Sequence, residues 1–261
     1  MTKAIVKRPT PEETELAHKK LELAAIENEL AERELDLSTL EAELRAFERR
    51  YLRTVGVKYA ELDDLEAQIA EAMARLNPQD RRAREQASQA RTQARESAQA
   101  AGTAKESKKP NEFMPSEDLK KLYRGIAKRV HPDLANDEEE RARRTRFMAE
   151  VNHAYQDGDA ARLQAILAEW EGSPEAVKGE GVGADLVRTI RKIAQVRGRL
   201  NEIKAKIAQL HESDLRKLMM KVREAEQEGR DLLAEMVAKL GTQIAEARKR
   251  LAELDGKRSG V

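Results

Sequence analysis

The chain has 261 residues, of which 37% are charged and only 3% are aromatic, so bulky apolar side chains are too few for one large core. The 49 basic and 48 acidic residues leave a net charge of +1, which gives no general attraction to nucleic acid or to an anionic membrane. There are no cysteines, which excludes disulfides and cysteine-bound zinc and is typical of a reducing compartment.

The first predicted element is a coiled-coil helix over residues 12–78. Apolar residues recur every seven positions, and a second apolar seam accompanies them, as in a heptad repeat. The two seams are formed by Leu16, Leu23, Leu30, Leu37, Leu44 and Tyr51, and by Ile26, Leu40 and Phe47. After Tyr51 the repeat shifts by four residues, near Gly56. Such a stutter relaxes the supercoil without ending the helix.

Residues 79–115 are predicted to form a polar linker. Between Gln79 and Pro110 large apolar residues are almost absent, and such a segment cannot bury enough surface to fold alone. We therefore expect a linker with at most transient helix. Its eight Lys or Arg residues outnumber its four Asp or Glu residues, which leaves nucleic-acid contact as one interpretation. A solvated linker is the favoured one.

Residues 116–172 are predicted to form a small domain of three helices. Ser116 suits the cap of the first helix, and Pro132 ends it because proline disfavours helical geometry at the preceding residue. The second helix is expected to begin at Asn136 or Asp137, and the third follows a DGD sequence. The expected core residues are Leu119, Leu122, Tyr123, Ile126, Ala127, Val130, Phe147, Met148, Val151, Ala154, Tyr155, Leu163, Ile166, Leu167 and Trp170.

A second coiled coil is predicted over residues 184–256. Its seams are formed by Leu186, Ile193, Leu200 and Ile207, and by Val196, Ile203 and Leu210. The repeat shifts near Asp214 and again before Val237, yet we expect one continuous helix about 100 Å long. The two long helices can pair within one chain or between the chains of a homodimer, and the heptads do not decide between these.

His131, Pro132 and Asp133 are the candidate functional residues. Asp133 follows the C-terminal end of a helix, where the negative pole of the helix dipole disfavours an acidic side chain. A residue that is locally unfavourable without an evident compensating contact is a candidate functional residue. The preceding helix has a basic outer face formed by Lys120, Lys121, Arg124, Lys128 and Arg129.

No constellation in the sequence predicts catalysis. The four histidines show no metal-ligand spacing, and there is no phosphate-binding glycine loop and no nucleophile elbow. We therefore expect no enzymatic activity, no cofactor and no metal site.

The middle segment resembles the J-domain of DnaJ-type co-chaperones. Tyr123 and the run AKRVHPD are similar to the family's second helix and loop, and FMAEVNHAY is similar to its third helix, within residues 116–170. The family's first helix, its Gly/Phe region and its zinc-binding repeats are missing, which makes the chain class C-like. We expect either Phe113 and Met114 or a coiled-coil helix to cover the core in place of the first helix.

The resemblance implies a protein that stimulates ATP hydrolysis by a DnaK-type (heat-shock 70) chaperone. In that role His131, Pro132 and Asp133 contact the chaperone's nucleotide switch from an exposed loop, while the basic face docks on the chaperone. The coiled-coil arms then recruit an unidentified client or partner protein. The alternative is a structural coiled-coil scaffold whose J-like segment stimulates no ATPase.

The expected location is the cytoplasm, without a membrane or nucleic-acid partner. The N-terminal sequence is too polar for a signal peptide, and no run of eighteen apolar residues occurs. The nearly balanced charge argues against nucleic acid as a partner.

Overall fold

A computed structural model describes residues 9–106, 113–135, 137–171 and 181–259. Every regular element in these ranges is helical, which confirms the predicted all-α fold and its long helices. The helices are α1 (Pro11–Tyr51), α2 (Val57–Leu76), α3 (Arg81–Glu106), α4 (Glu117–Val130), α5 (Glu138–Gln156), α6 (Ala160–Glu171), α7 (Val182–Glu212), α8 (Asp214–Gln227) and α9 (Leu232–Ser259).

The chain divides into two compact units, and each is built from two separate stretches of sequence. The first unit combines Met1–Ala42 with Phe113–Glu212, and the second combines Glu43–Glu112 with Ser213–Val261. The candidate functional residues lie in the first unit.

Helices α4, α5 and α6 lie in the first unit, within residues 116–172, where the sequence predicts three helices. The Ser116 hydroxyl accepts a hydrogen bond from the Leu119 N–H at 3.2 Å, which confirms the predicted cap of α4. Asp137 caps α5 by accepting from the Glu140 N–H at 2.7 Å. The alternative cap, Asn136, and residue 172 at the predicted end of the domain lie outside the described residues.

The core of this domain contains the apolar residues that the sequence predicts. Helices α4 and α5 run in opposite directions, as two hydrogen bonds between them show. The Tyr123 hydroxyl donates to Asn152, and further along α4 the Arg129 carbonyl accepts from the Arg144 guanidinium. The buried members are Leu119, Tyr123, Ile126, Ala127, Val130, Met148, Val151, Ala154, Tyr155, Leu163, Ile166 and Trp170, with Leu122, Phe147 and Leu167 partly buried against them.

Helix α1 completes the core of the three-helix domain. Ala31 and Leu35 of α1 are buried in the same cluster as the three-helix domain, and the hydroxyls of Thr39 and Tyr155 lie 2.9 Å apart. Phe113 also contributes, because its ring packs edge-on against Tyr155 with the centroids 5.4 Å apart. Met114 does not, since 83% of its surface is exposed.

Within the first unit α1 also pairs with α7. Leu30 of α1 is buried together with Val196, Leu200 and Ile203 of α7, which are heptad residues of the two predicted coiled coils. Lys204 of α7 forms an ion pair with Glu29 at 2.9 Å. The two predicted coiled coils therefore contact each other here within one chain.

The stutter predicted after Tyr51 coincides with a π-helical turn at Leu52–Gly56. The Val57 N–H donates to the Leu52 carbonyl, five residues earlier. This wider turn absorbs the shift of the heptad repeat while the helical chain continues into α2.

The linker predicted over residues 79–115 is corrected for residues 81–106, which form helix α3. Ala87, Ala94 and Ala101 are buried at seven-residue spacing. Alanines therefore form the buried seam of α3, whereas large apolar residues form the heptad seams of the two predicted coiled coils. Arg91 binds Glu71 at 2.7 Å and Asp64 at 2.9 Å on α2. We counted only large apolar residues and therefore missed this helix; residues 107–112 lie outside the described ranges.

The single helix of about 100 Å that we expected over residues 184–256 is also wrong. Helix α7 ends at Glu212, and the Ser213 hydroxyl caps α8 by accepting from the Arg216 N–H at 3.3 Å. Gly229, with φ of 77°, ends α8 in the left-handed conformation that favours glycine. Each break lies at or shortly before a shift in the heptad repeat.

We predict that Leu35→Ala lowers the free energy of unfolding of the first unit by about 2–4 kcal/mol, because it leaves a cavity in the core. The only tryptophan, Trp170, lies in this core, so denaturant titration followed by its fluorescence measures the change. Leu21→Ala is the matched control on α1, since Leu21 is 72% exposed. Equal effects of the two substitutions contradict the placement of α1.

We predict that Gly229→Ala lowers the stability of the second unit by about 1–2 kcal/mol, because alanine is strained at positive φ. Gly241→Ala is the control within α9, where an added Cβ meets no atom within 4 Å; it should stabilise by about 1 kcal/mol. Thermal unfolding followed by circular dichroism should shift in opposite directions for the two variants. A shift in the same direction contradicts the turn.

Candidate functional site

The candidate loop is a tight turn at the C-terminal end of α4. The His131 N–H donates to the Ala127 carbonyl at 3.1 Å, and Pro132–Leu134 form one turn of 3-10 helix. The His131 side chain caps this turn, because its Nδ1 accepts from the Asp133 N–H at 3.2 Å. The other ring nitrogen, Nε2, is therefore the one free to donate a hydrogen bond.

His131 faces helix α1 and not solvent. Its Nε2 lies 3.1 Å from Oε1 of Glu34, and the exposed fractions of the two residues are 2% and 4%. The family resemblance implies that His131 lies in an exposed loop, and this expectation is therefore wrong. The physical reason is that α1, while covering the core, also places an acceptor opposite the histidine ring.

Glu34 is held as a buried carboxylate by two donors. Arg199 of α7 donates to the same oxygen from Nε at 3.1 Å and from Nη2 at 3.0 Å. Burial alone raises the pKa of Glu34, but the hydrogen bond from His131 and the charge of Arg199 outweigh it and hold the pKa below its ordinary value. Glu34 thus links α1, α7 and the loop through one charged side chain.

Asp133 is only partly exposed and is poorly satisfied. Its side chain is 24% exposed, and its Oδ2 lies 3.8 Å from Nδ1 of His131. That oxygen is buried and accepts no hydrogen bond from any residue that the structure describes. Burial raises the pKa of the Asp133 carboxyl above its ordinary value.

Pro132 and Leu134 complete the loop. Pro132 is partly exposed at the start of the turn. The Leu134 carbonyl accepts from Nζ of Lys192 on α7 at 3.1 Å. The Leu134 side chain packs against the cluster of α1 and α7 residues around Leu30 and Val196. The loop is therefore contacted by both long helices of the first unit.

The basic face of α4 is only partly available. Lys121, Lys128 and Arg129 are exposed, and Lys121 lies 3.8 Å from Asp118. Lys120 is half-buried and binds Glu117 at 2.8 Å.

Arg124 departs from the expected docking face. It is half-buried and lies 3.3 Å from Glu32 of α1. Helix α1 therefore engages one of the five predicted docking cations as well as the candidate histidine.

Arg144 of α5 binds the C-terminal end of α4, next to the loop. Its Nη1 donates to the Arg129 carbonyl at 2.8 Å, and its Nη2 donates to Glu140 at 2.5 Å. Its guanidinium also stacks over Trp170, 4.9 Å from the ring centroid. These contacts satisfy a carbonyl at the end of α4 that has no partner within the helix.

Sequence reasoning missed Glu34, Arg144, Lys192 and Arg199, because each belongs to a charge-rich helix where most side chains are solvated. One signal was available for α1. Ala31, Leu35 and Ala42 form a second stripe of small or apolar residues at helical spacing beside the heptad seam, which indicates a second buried face.

Comparisons with family models, curated proteins and solved structures give no match to this chain. In the part of the chain that the structure describes, no helix combines the length and the apolar character needed to cross a membrane.

We predict that Glu34→Gln destabilises the first unit at neutral pH by about 1.5–3 kcal/mol, because the donors lose a charged acceptor. Since the folded-state pKa of Glu34 is lowered, its stabilising effect is complete above the unfolded-state pKa of about 4.3 and is lost as the pH falls through the folded value. Denaturant titrations at several pH values should therefore give a shallower acid dependence for the variant.

Glu32→Gln is the matched control for this measurement, because Glu32 lies on the same helix with its side chain 55% exposed. Glu32→Gln should change the stability at neutral pH by less than about 1 kcal/mol, because it removes only an exposed ion pair. If Glu34→Gln has no larger effect than Glu32→Gln and leaves the acid dependence of the unmodified protein unchanged, the carboxylate of Glu34 is not buried in solution.

Proposed function

We propose that this chain is a J-domain co-chaperone that engages a DnaK-type ATPase in the cytoplasm and stimulates its ATP hydrolysis. The observation that carries this proposal is the position of Asp133, which follows Pro132 in a tight turn at the end of a helix whose Lys121, Lys128 and Arg129 are exposed. A cationic helix favours encounter with an acidic partner surface. The Asp133 side chain is partly exposed, and no residue that the structure describes donates a hydrogen bond to its Oδ2.

The three-helix core supports the same proposal. The apolar faces of α4, α5 and α6 meet around Tyr123, Val151 and Ile166, and α1 supplies the cover that a family member obtains from its first helix. We therefore propose a folded J-like domain in which α1 takes the place of the missing first helix.

The second candidate function is the structural scaffold with a J-like segment that stimulates no ATPase. The burial of His131 against Glu34 favours this candidate, because a loop that must contact another protein's nucleotide switch is expected to be accessible. The two candidates differ in their effect on ATP hydrolysis.

The coiled-coil arms remain the proposed sites of client or partner recruitment. Pairing of α1 with α7 inside one chain occupies the seam residues Leu30, Val196 and Leu200. Formation of a homodimer through the remaining surfaces stays a prediction.

We predict that the unmodified protein accelerates single-turnover ATP hydrolysis by a purified DnaK-type chaperone, and that Asp133→Asn reduces the rate to that of the chaperone alone. The matched control is Asp157→Asn, an exposed acid in the same three-helix domain, which should retain the full effect. Trp170 fluorescence should show that all three proteins are folded. If the unmodified protein and Asp133→Asn both leave the rate at that of the chaperone alone, the result favours the scaffold, whereas equal acceleration by both contradicts the role proposed for Asp133.

A further inference from the structure

The candidate loop is held from two sides by helices outside the three-helix domain. On one side Glu34 of α1 accepts from His131. On the other side Lys192 of α7 donates to the Leu134 carbonyl at 3.1 Å. Two residues of a short loop are thus bound by groups more than fifty positions away in the sequence.

Arg199 joins these two sides into one arrangement. It donates twice to the Glu34 oxygen that faces His131, so the same carboxylate binds α7 and the loop. Apolar contacts also join the loop to α1 and α7, because Leu134 packs against the cluster that contains Leu30, Val196 and Leu200. Displacement of α7 would therefore remove the partner of Glu34, the donor to Leu134 and part of the apolar cover together.

The arrangement leaves one polar group of the loop unsatisfied. Oδ2 of Asp133 is buried without a hydrogen bond from any described residue, whereas the neighbouring His131 side chain uses both ring nitrogens. Leaving a buried acceptor without a hydrogen bond is unfavourable. Movement of the loop away from α1 and α7 would expose this oxygen to water or to a donor of a partner protein. The hydrogen bond gained by Asp133 would therefore favour this movement of the loop.

We propose that α1 and α7 hold the His131–Leu134 loop in a closed, autoinhibited position, and that separation of α7 from the loop activates the protein. We call the contacts of Glu34, Lys192 and Arg199 with the loop and with each other the latch. This inference rests on the proposed co-chaperone function, because it assigns the latch control over stimulation of the ATPase.

The test uses the full chain and the variant Arg199→Ala. The matched control is Arg197→Ala on the same helix, because Arg197 binds Glu22 of α1 at 2.6 Å and, in the part of the chain that the structure describes, bonds neither to Glu34 nor to the loop. Lys192→Ala is a second latch variant that leaves the Glu34 network intact. Circular dichroism and Trp170 fluorescence establish that each variant is folded.

The first measurement is amide hydrogen exchange of residues 131–135, which needs no chaperone. The amides of Leu134 and Ala135 donate within the turn, and we expect them to exchange about tenfold faster in Arg199→Ala and Lys192→Ala than in Arg197→Ala. Exchange at the same rate in all proteins overturns the latch, whatever the ATPase result.

The second measurement is single-turnover ATP hydrolysis by a purified DnaK-type chaperone. We expect both latch variants to stimulate hydrolysis at least about threefold more than the unmodified protein or Arg197→Ala, because a larger fraction of the loop is open. Faster exchange with unchanged or weaker stimulation overturns autoinhibition alone and assigns these residues to positioning the loop. Faster exchange with no stimulation by any protein overturns the proposed co-chaperone function and autoinhibition with it.

Discussion

Burial of Ala31 and Leu35 beneath the three-helix domain is the constraint on which the rest of the first unit depends. A hairpin of two short helices with a third across it leaves one face without cover, and a helix from the N-terminal part of the chain supplies that cover. Burying this face provides the main favourable free energy for docking α1. The domain therefore depends on a helix about eighty residues upstream, by the numbering of Leu35 and Ser116.

The polar consequence of this packing is the buried network around Glu34. Once α1 lies on the core, Glu34 falls opposite His131, and a carboxylate at that depth needs more than one donor to remain charged. His131 and Arg199 supply the hydrogen bonds, so packing of the apolar face, the ionisation of Glu34 and the position of the loop are coupled. Among the residues that the structure describes, none donates a hydrogen bond to Oδ2 of the neighbouring Asp133. The loop therefore contains one residue whose side-chain nitrogens are both bonded and one with a buried oxygen that is not.

Local patterns predicted the helices, the caps and the core of the three-helix domain, because helical periodicity and capping act over a few residues. Ser116 caps α4, and Tyr123 and Trp170 are buried in the core, as predicted. The same patterns failed for α3, where alanines replace leucines in the seam, and at Gly229, where a turn was read as a shift in the heptad. They also could not show that His131 is buried, because its partner Glu34 is distant in sequence and indistinguishable from the solvated glutamates around it.

The most direct test of this account is a double-mutant cycle between Glu34 and His131. The unmodified protein, Glu34→Gln, His131→Gln and the double variant are unfolded with denaturant while Trp170 fluorescence is recorded. A buried, charge-assisted hydrogen bond between helix α1 and the loop predicts a coupling free energy of about 1.5–3 kcal/mol at neutral pH. Additive effects of the two substitutions, with no coupling, would contradict the placement of α1 against the loop.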